Sequence, residues 1–216
     1  MIKVPKSLAW GRFLQTPLSK AETKKILILE SALNIVVSHG VKKLSISEIS
    51  RATGMAKSLI IYHFKNTDEI LLELFSVLGR QGQEFTLQAL DGKMDLEEKV
   101  AAVIQGTFQW LLAHPQAANF FLIVYHLAGV NDEFYKINSH LLKTGLERFK
   151  TILSTSIKLK KNGNVEATAM SIQNLIIGTV VRMVSLKDYK HCNSYYKATL
   201  LGAGLLLNKN LPQNKL

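Results

Sequence analysis

Apolar residues, mostly Leu, Ile and Ala, return every third or fourth position along most of this chain, in long runs that only four prolines interrupt. That spacing keeps one face of a 3.6-residue helix apolar, whereas a half-buried strand requires strict alternation. The chain is therefore expected to be all-α rather than a sandwich or barrel. With 216 residues, 47% hydrophobic and 20% charged, it has the balance of a soluble protein with a substantial core, in one large or two small domains.

Residues 1–19 carry Pro5 and Pro17 without helical periodicity and read as a basic arm. A first helix over 20–39 places Ile26, Leu29, Leu33 and Val36 on one face and stops at Gly40. Two short helices follow around Gly54, between Ser45 and His63, and a longer one runs from Asp68 to about Leu90. Beyond the Asp91-Gly92 turn, the expected helices are Asp95–Ala113, Ala117–Leu127, a long one from an Asn131 cap to about Lys160, Val165–Ser185 and Ser194–Leu207. Three small helices before a set of long ones suggest a binding head and a separate body.

The formal net charge of +11 is uneven, with +7 in residues 1–68 and +4 in the rest. A basic first third points to an anionic partner, nucleic acid or a membrane surface. Cys192 is the only cysteine, so no internal disulfide can form and a reducing compartment is expected. Lys3, Pro5, Lys6 and Arg12 interrupt the apolar stretch that a signal peptide would need. The most apolar later segment, Val165 to Val184, includes Glu166, Gln173, Asn174 and Arg182, which makes it a poor membrane span and a plausible buried helix. A cytoplasmic location without a membrane partner is the expectation.

The informative stretch begins at Gly40 and ends at Leu59. Ser45 followed by Glu48 has the spacing of a capping box and opens a helix. Ile49 and Thr53 are expected to face inward, and Ser50 is small where two helices cross. Gly54 falls where the chain must turn with positive φ, and Met55 plugs the gap beneath the turn. Leu59 and Tyr62 are expected to continue the buried face of the second helix. A small residue, a turn glycine and an apolar plug at these offsets describe a helix-turn-helix.

Residues 20–75 resemble the DNA-binding head of the TetR/AcrR family of repressors. The matching residues are Ile28-Leu29 and Ala32-Leu33, then Gly40-Val41, Leu44-Ser45, Ile49 and Gly54, and finally Tyr62-His63-Phe64-Lys65-Asn66 leading into Asp68-Glu69-Ile70-Leu71. The resemblance implies an arm at 1–19, a helix-turn-helix head at 20–68 and a helical ligand-binding and dimerisation body at 69–216. It implies a homodimer on an inverted-repeat duplex, a transcriptional repressor released by a small lipophilic inducer, no cofactor and no enzymatic activity. An architectural or division-linked DNA-binding protein without an inducer is the alternative on the same fold.

The family's roles carry over residue by residue. Ser45 and Ser47 would touch the DNA backbone or groove edge. Lys57, Ser58 and Leu59 would open the recognition helix toward base edges, although the spacing of Leu59 also suits the core. Tyr62, His63 and Lys65 would contact phosphates, and Tyr62 equally suits packing against the first helix. Phe64 is expected to pack. The chain departs from the pattern at Ile61, where a phosphate-binding tyrosine is usual, at Thr67, where a lysine is usual, and at Ala56, which replaces a polar cap. Lys3, Lys6, Arg12 and Lys20, interleaved with Trp10 and Phe13, would lie in a minor groove or form a tail.

In the body, the resemblance implies a four-helix dimer seam from 165–185 and 194–207, and an inducer pocket enclosed by 95–160. Phe108, Trp110, Phe120, Tyr125 and His126 are the candidate lining, although aromatics at helical spacing also serve as core. Ser171, Asn174, Gly178 and Arg182 form one narrow polar stripe on an apolar helix. That stripe is either an exposed edge or a means by which Asn174 and Arg182 orient the polar end of an inducer. His191-Cys192 lacks a third partner, and no metal site is expected. No phosphate-cradling glycine loop or nucleophile elbow is present in the sequence.

Overall fold

The structure is a computed structural model that describes residues 19–90, 92, 94–156, 159, 164–209 and 211–213. The proposed arm, with Trp10 and Phe13, lies outside the described residues. The α-helices are α1 (Lys20–His39), α2 (Ile46–Thr53), α3 (Lys57–His63), α4 (Thr67–Gln88), α5 (Leu96–Ala113), α6 (Pro115–Ala128), α7 (Asp132–Leu153), α8 (Val165–Ser185) and α9 (Cys192–Leu207). No strand occurs among the described residues. The chain is all-α, as its periodicity requires.

The helices form two compact units that alternate along the chain. One comprises the residues up to Gln81 together with His114–Ile137. Here α1 lies against α2 and α6, and Ile28, Leu33, Ile49, Ile60, Ile70 and Leu74 are fully enclosed. Phe75 meets Phe121 edge-on, with ring centroids 4.9 Å apart. The other unit comprises Gly82–Ala113 and the residues from Asn138 onward. In it α9 packs on α8 and α5, around Val100, Ile104, Phe108, Ile172, Met183 and Tyr196. Gly106 permits close approach of α5 to α4, because a Cβ there would stand 2.8 Å from the Phe85 carbonyl oxygen and 2.9 Å from Thr86 Cα.

Local chemistry explains where the helices begin and end. Ser19 and Glu22 complete a reciprocal capping box at the start of α1. Pro115 occupies the first turn of α6, so this helix begins before the expected Ala117; proline lacks only an N–H that would be unpaired there. Asn131 Oδ1 accepts from the amides of Glu133 and Phe134, the cap expected for α7. That helix stops at Leu153, well short of Lys160. Thr155 donates its hydroxyl to the Ile152 carbonyl, and the amides of Thr155 and Ser156 turn back three residues to Ile152 and Leu153. Such side-chain competition for backbone groups tightens and ends a helix. By length and composition alone, α8 is apolar enough to cross a membrane.

Candidate DNA interface

The turn between α2 and α3 is held by bonds that converge from three sides. Ser50 Oγ donates to the Met55 carbonyl at 2.7 Å, while Thr53 Oγ1 donates to the Ile49 carbonyl at 2.7 Å and accepts from the Met55 amide at 3.3 Å. Gly54 sits between them at φ 72°, the left-handed conformation anticipated from its position. Thr53 and Met55 are only half-buried, and Ile49 alone of α2 is enclosed. Ser45 accepts from the Glu48 amide at 3.1 Å, but the Glu48 carboxylate pairs with Arg51 instead of returning to Ser45. The capping box is therefore only half made, and the Ser45 hydroxyl is engaged in capping.

Helix α3 begins at Lys57 behind Ala56, which offers no side-chain cap. The expectation that Leu59 and Tyr62 continue the buried face is corrected by the structure. The inward pair is Ile60 and Phe64, which are 0% and 4% exposed and four residues apart. That register leaves Leu59 half-buried and turns Lys57, Ser58, Ile61 and Tyr62 outward, with Tyr62 82% exposed. The choice left open for Tyr62 falls on the exposed side. Ser47 and Lys65 are exposed as well.

His63 is half-buried, with its ring edge toward Tyr62 at 5.2 Å. Its Nε2 is enclosed without a hydrogen-bond partner. Burial, then the positive charges of Lys25 and Lys24, hold its pKa below the usual histidine value. Lys25 Nζ also lies 5.8 Å from the Phe64 ring centroid. At the α3–α4 corner, Glu69 accepts from the Lys65 amide at 2.7 Å, and its own amide donates to Asn66 Oδ1 at 2.8 Å. These bonds fix the backbone that carries Lys65. Sequence reasoning missed Lys24, Lys25 and the outward row's Ile61. It also missed the Asn66–Glu69 and Ser19–Glu22 pairs, although both have the spacing recognised at Ser45.

An exposed row on the second helix of a helix-turn-helix, with clustered lysines beside it, is the geometry that places side chains in a major groove. The family model for bacterial regulatory proteins of the tetR family matches residues 28–74, the same stretch. The chain belongs to the TetR family.

This TetR-family regulator is similar to the fatty acid metabolism regulator protein of Bacillus subtilis (strain 168), at 26% identity over 171 residues, covering 78% of this chain and 87% of the relative. Among solved structures, the fatty acid degradation regulator FadR from Bacillus halodurans superposes with a TM-score of 0.69 at 22% identity, covering 89% of this chain and 97% of that one. A transcriptional regulator from Rhodococcus sp. Rha1 gives a TM-score of 0.72 at 14% identity, covering 85% and 96%. At those identities the two structures speak for the fold of the regulator alone.

The expected inducer residues divide between the units. Phe108 and Trp110 are buried in the second, where Phe108 lies 5.7 Å from the Tyr196 ring. Phe120 is enclosed in the first, Tyr125 is half-buried there with its phenol pKa pushed up by burial, and His126 is exposed. On α8, Ser171, Asn174, Gly178 and Arg182 are all exposed, so the polar stripe is an outer edge of the isolated chain. The reason is that Ala169, Ile172, Ile176 and Met183 occupy the face of α8 that packs inward.

Proposed function

We propose that this chain is a cytoplasmic homodimeric repressor that grips an inverted-repeat duplex and lets go when its body takes up a small lipophilic ligand. The observation that carries the reading is the outward row of α3, Lys57, Ser58, Ile61 and Tyr62, standing on the buried Ile60 and Phe64. In this reading the head is 20–68 and the body 69–216. Lys57 and Ser58 reach base edges, with Leu59 at their margin. Ser45, Ser47, Tyr62, His63 and Lys65 position the helix on phosphates.

The exposed surface of the α8–α9 pair supports the dimer. Met170, Leu201, Leu205 and Leu206 are uncovered there, and Gly178 has open space where a Cβ would stand. A second copy of the same pair would bury these groups in one self-complementary seam. We assign Asn174 and Arg182 to the rim of that seam. The lipophilic ligand is supported by the aromatic residues Phe108 and Trp110 and by the similarity to a fatty acid metabolism regulator.

Selection of duplex fragments retained by the purified protein tests the reading. The enriched sequences should be inverted repeats, with half-site centres about one DNA turn or a multiple of it apart. Retention of unrelated sequences without symmetry, or a monomer by light scattering, would contradict it.

A further inference from the structure

Helix α7 carries a cation that has no counter-ion. Arg148 is half-buried, and its two Nη atoms donate to Thr86 Oγ1 and Gln83 Oε1 of α4. Both partners are neutral. Burial pushes the guanidinium pKa down, and no carboxylate acts in the opposite direction. Lys150 and Lys209 of the same unit are instead paired with Glu147 and Glu97. One turn before Arg148, Gly145 faces Gln173 of α8, whose Nε2 donates to the Leu142 carbonyl at 2.8 Å. The polar groups along this side of α7 are thus amides and a hydroxyl. A buried positive charge with only neutral partners lacks the compensation that such charges ordinarily receive.

The surroundings are apolar next to this charge. A Cβ on Gly82, the neighbour of Gln83, would stand 3.5 Å from the Trp110 ring. Thr86 is itself buried beneath Gly106. Phe149, adjacent to Arg148 in sequence, is enclosed in the core. A guanidinium offers five N–H donors in a fork suited to carboxylate and phosphate oxygens, and two atoms of this fork are already oriented by α4.

We propose that Arg148 receives the oxyanion of an amphiphilic ligand, with Gln83 and Thr86 holding the fork in position and Trp110 flanking the apolar part. The ligand class is an alkyl chain ending in a carboxylate or phosphate, which a fatty acid and its coenzyme A thioester both satisfy. The proposal rests on the reading of the body as a ligand sensor.

The test measures binding to the full chain without DNA, by thermal shift and dye displacement, with palmitate, palmitoyl-coenzyme A and hexadecanol as probes. An anionic probe should bind the wild type and lose at least tenfold in affinity in Arg148→Gln, while hexadecanol binds both proteins alike. The anionic probe that shows the loss identifies carboxylate or phosphate as the recognised group. Gln83→Glu supplies an internal carboxylate to Arg148, so it should raise the ligand-free Tm and cause the same loss. That variant carries the comparison if Arg148→Gln does not fold. Equal anionic affinity in wild type and Gln83→Glu, or no binding of either anion to the wild type, would overturn the proposal. DNA release is measured separately: anion binding that depends on Arg148 but releases no duplex would leave the site standing and remove the regulatory reading.

Discussion

The hydroxyl of Ser50 closes a 2.7 Å bond on the carbonyl of Met55, across the glycine that turns α2 into α3. This bond sets the angle at which the recognition helix leaves the supporting helix. Ser50→Ala should leave the part-buried Met55 carbonyl unpaired and cost about 1–2 kcal/mol of stability. Binding should weaken for every duplex sequence alike. Gly54→Ala meets open space, so its cost should come only from the left-handed backbone, roughly 1–2 kcal/mol. Denaturant melts of the two variants check these values, and a loss confined to certain sequences would contradict the role given to Ser50.

Lys57 and Lys65 should separate in a binding experiment. Lys57→Ala is expected to relax preference at one base pair per half-site, by about 1–3 kcal/mol. Lys65→Ala should weaken all sequences equally and lower the slope of log affinity against log salt by about 1. Titrations at several salt concentrations, on the selected duplex and on single-base variants, distinguish these outcomes.

Ile61 is 52% exposed on the outward row, where a polar contact would be usual. An apolar side chain in a major groove recognises the thymine methyl group. Replacing one thymine per half-site with uracil should therefore cost the wild type about 0.8 kcal/mol, the value of one buried methyl group. Ile61→Ser should bind thymine and uracil duplexes equally. If no thymine position shows the difference, Ile61 does not face the bases.

Tyr196 is fully enclosed, and its hydroxyl has no hydrogen-bond partner. Its pKa is raised by burial. Tyr196→Phe should remove an unsatisfied polar atom without leaving a cavity, and stabilise the ligand-free protein by about 1 kcal/mol. For a chain of this size that corresponds to a Tm increase of about 2–4 °C. A fall in Tm would show that the hydroxyl is paired.

His63 gives a pH dependence with a definite sign. Its folded pKa is depressed, first by burial and then by Lys25 and Lys24. Below the unfolded value of about 6.5, the unfolded chain binds the proton more readily, so stability falls as pH drops through that value. The decline levels off below the folded pKa. His63→Gln should flatten this part of the stability profile, and Lys25→Met should narrow it. A steeper profile in His63→Gln would reverse the assignment.

The head was readable because its constraints are local. Gly54 must turn, Ser45 must cap, and the residues around them fall at fixed offsets. The error at Tyr62 arose because a seven-residue helix is too short for periodicity to fix its phase. Ile60 and Leu59 both fit an apolar stripe, and only packing against the rest of the unit chose Ile60. In the body, helix positions followed from apolar spacing, but the partners of polar side chains did not. Arg148 meets Gln83 and Thr86 across more than sixty residues, a relationship that no local pattern encodes. The stripe on α8 was visible in the sequence, whereas its outward direction depended on which face Ile172 and Met183 take.

Two glycines in the body face opposite demands. Gly106 is confined by the backbone of α4, so a substitution there clashes within a single chain whatever its surroundings. Gly178 meets nothing in its own chain, and the isolated protomer should accept alanine or leucine at that position without strain. Any intolerance that an evolving population or a saturation library shows at 178 must therefore be imposed from outside the chain. The pattern of survivors at one residue then becomes a census of molecular company, taken in living cells without purifying the protein.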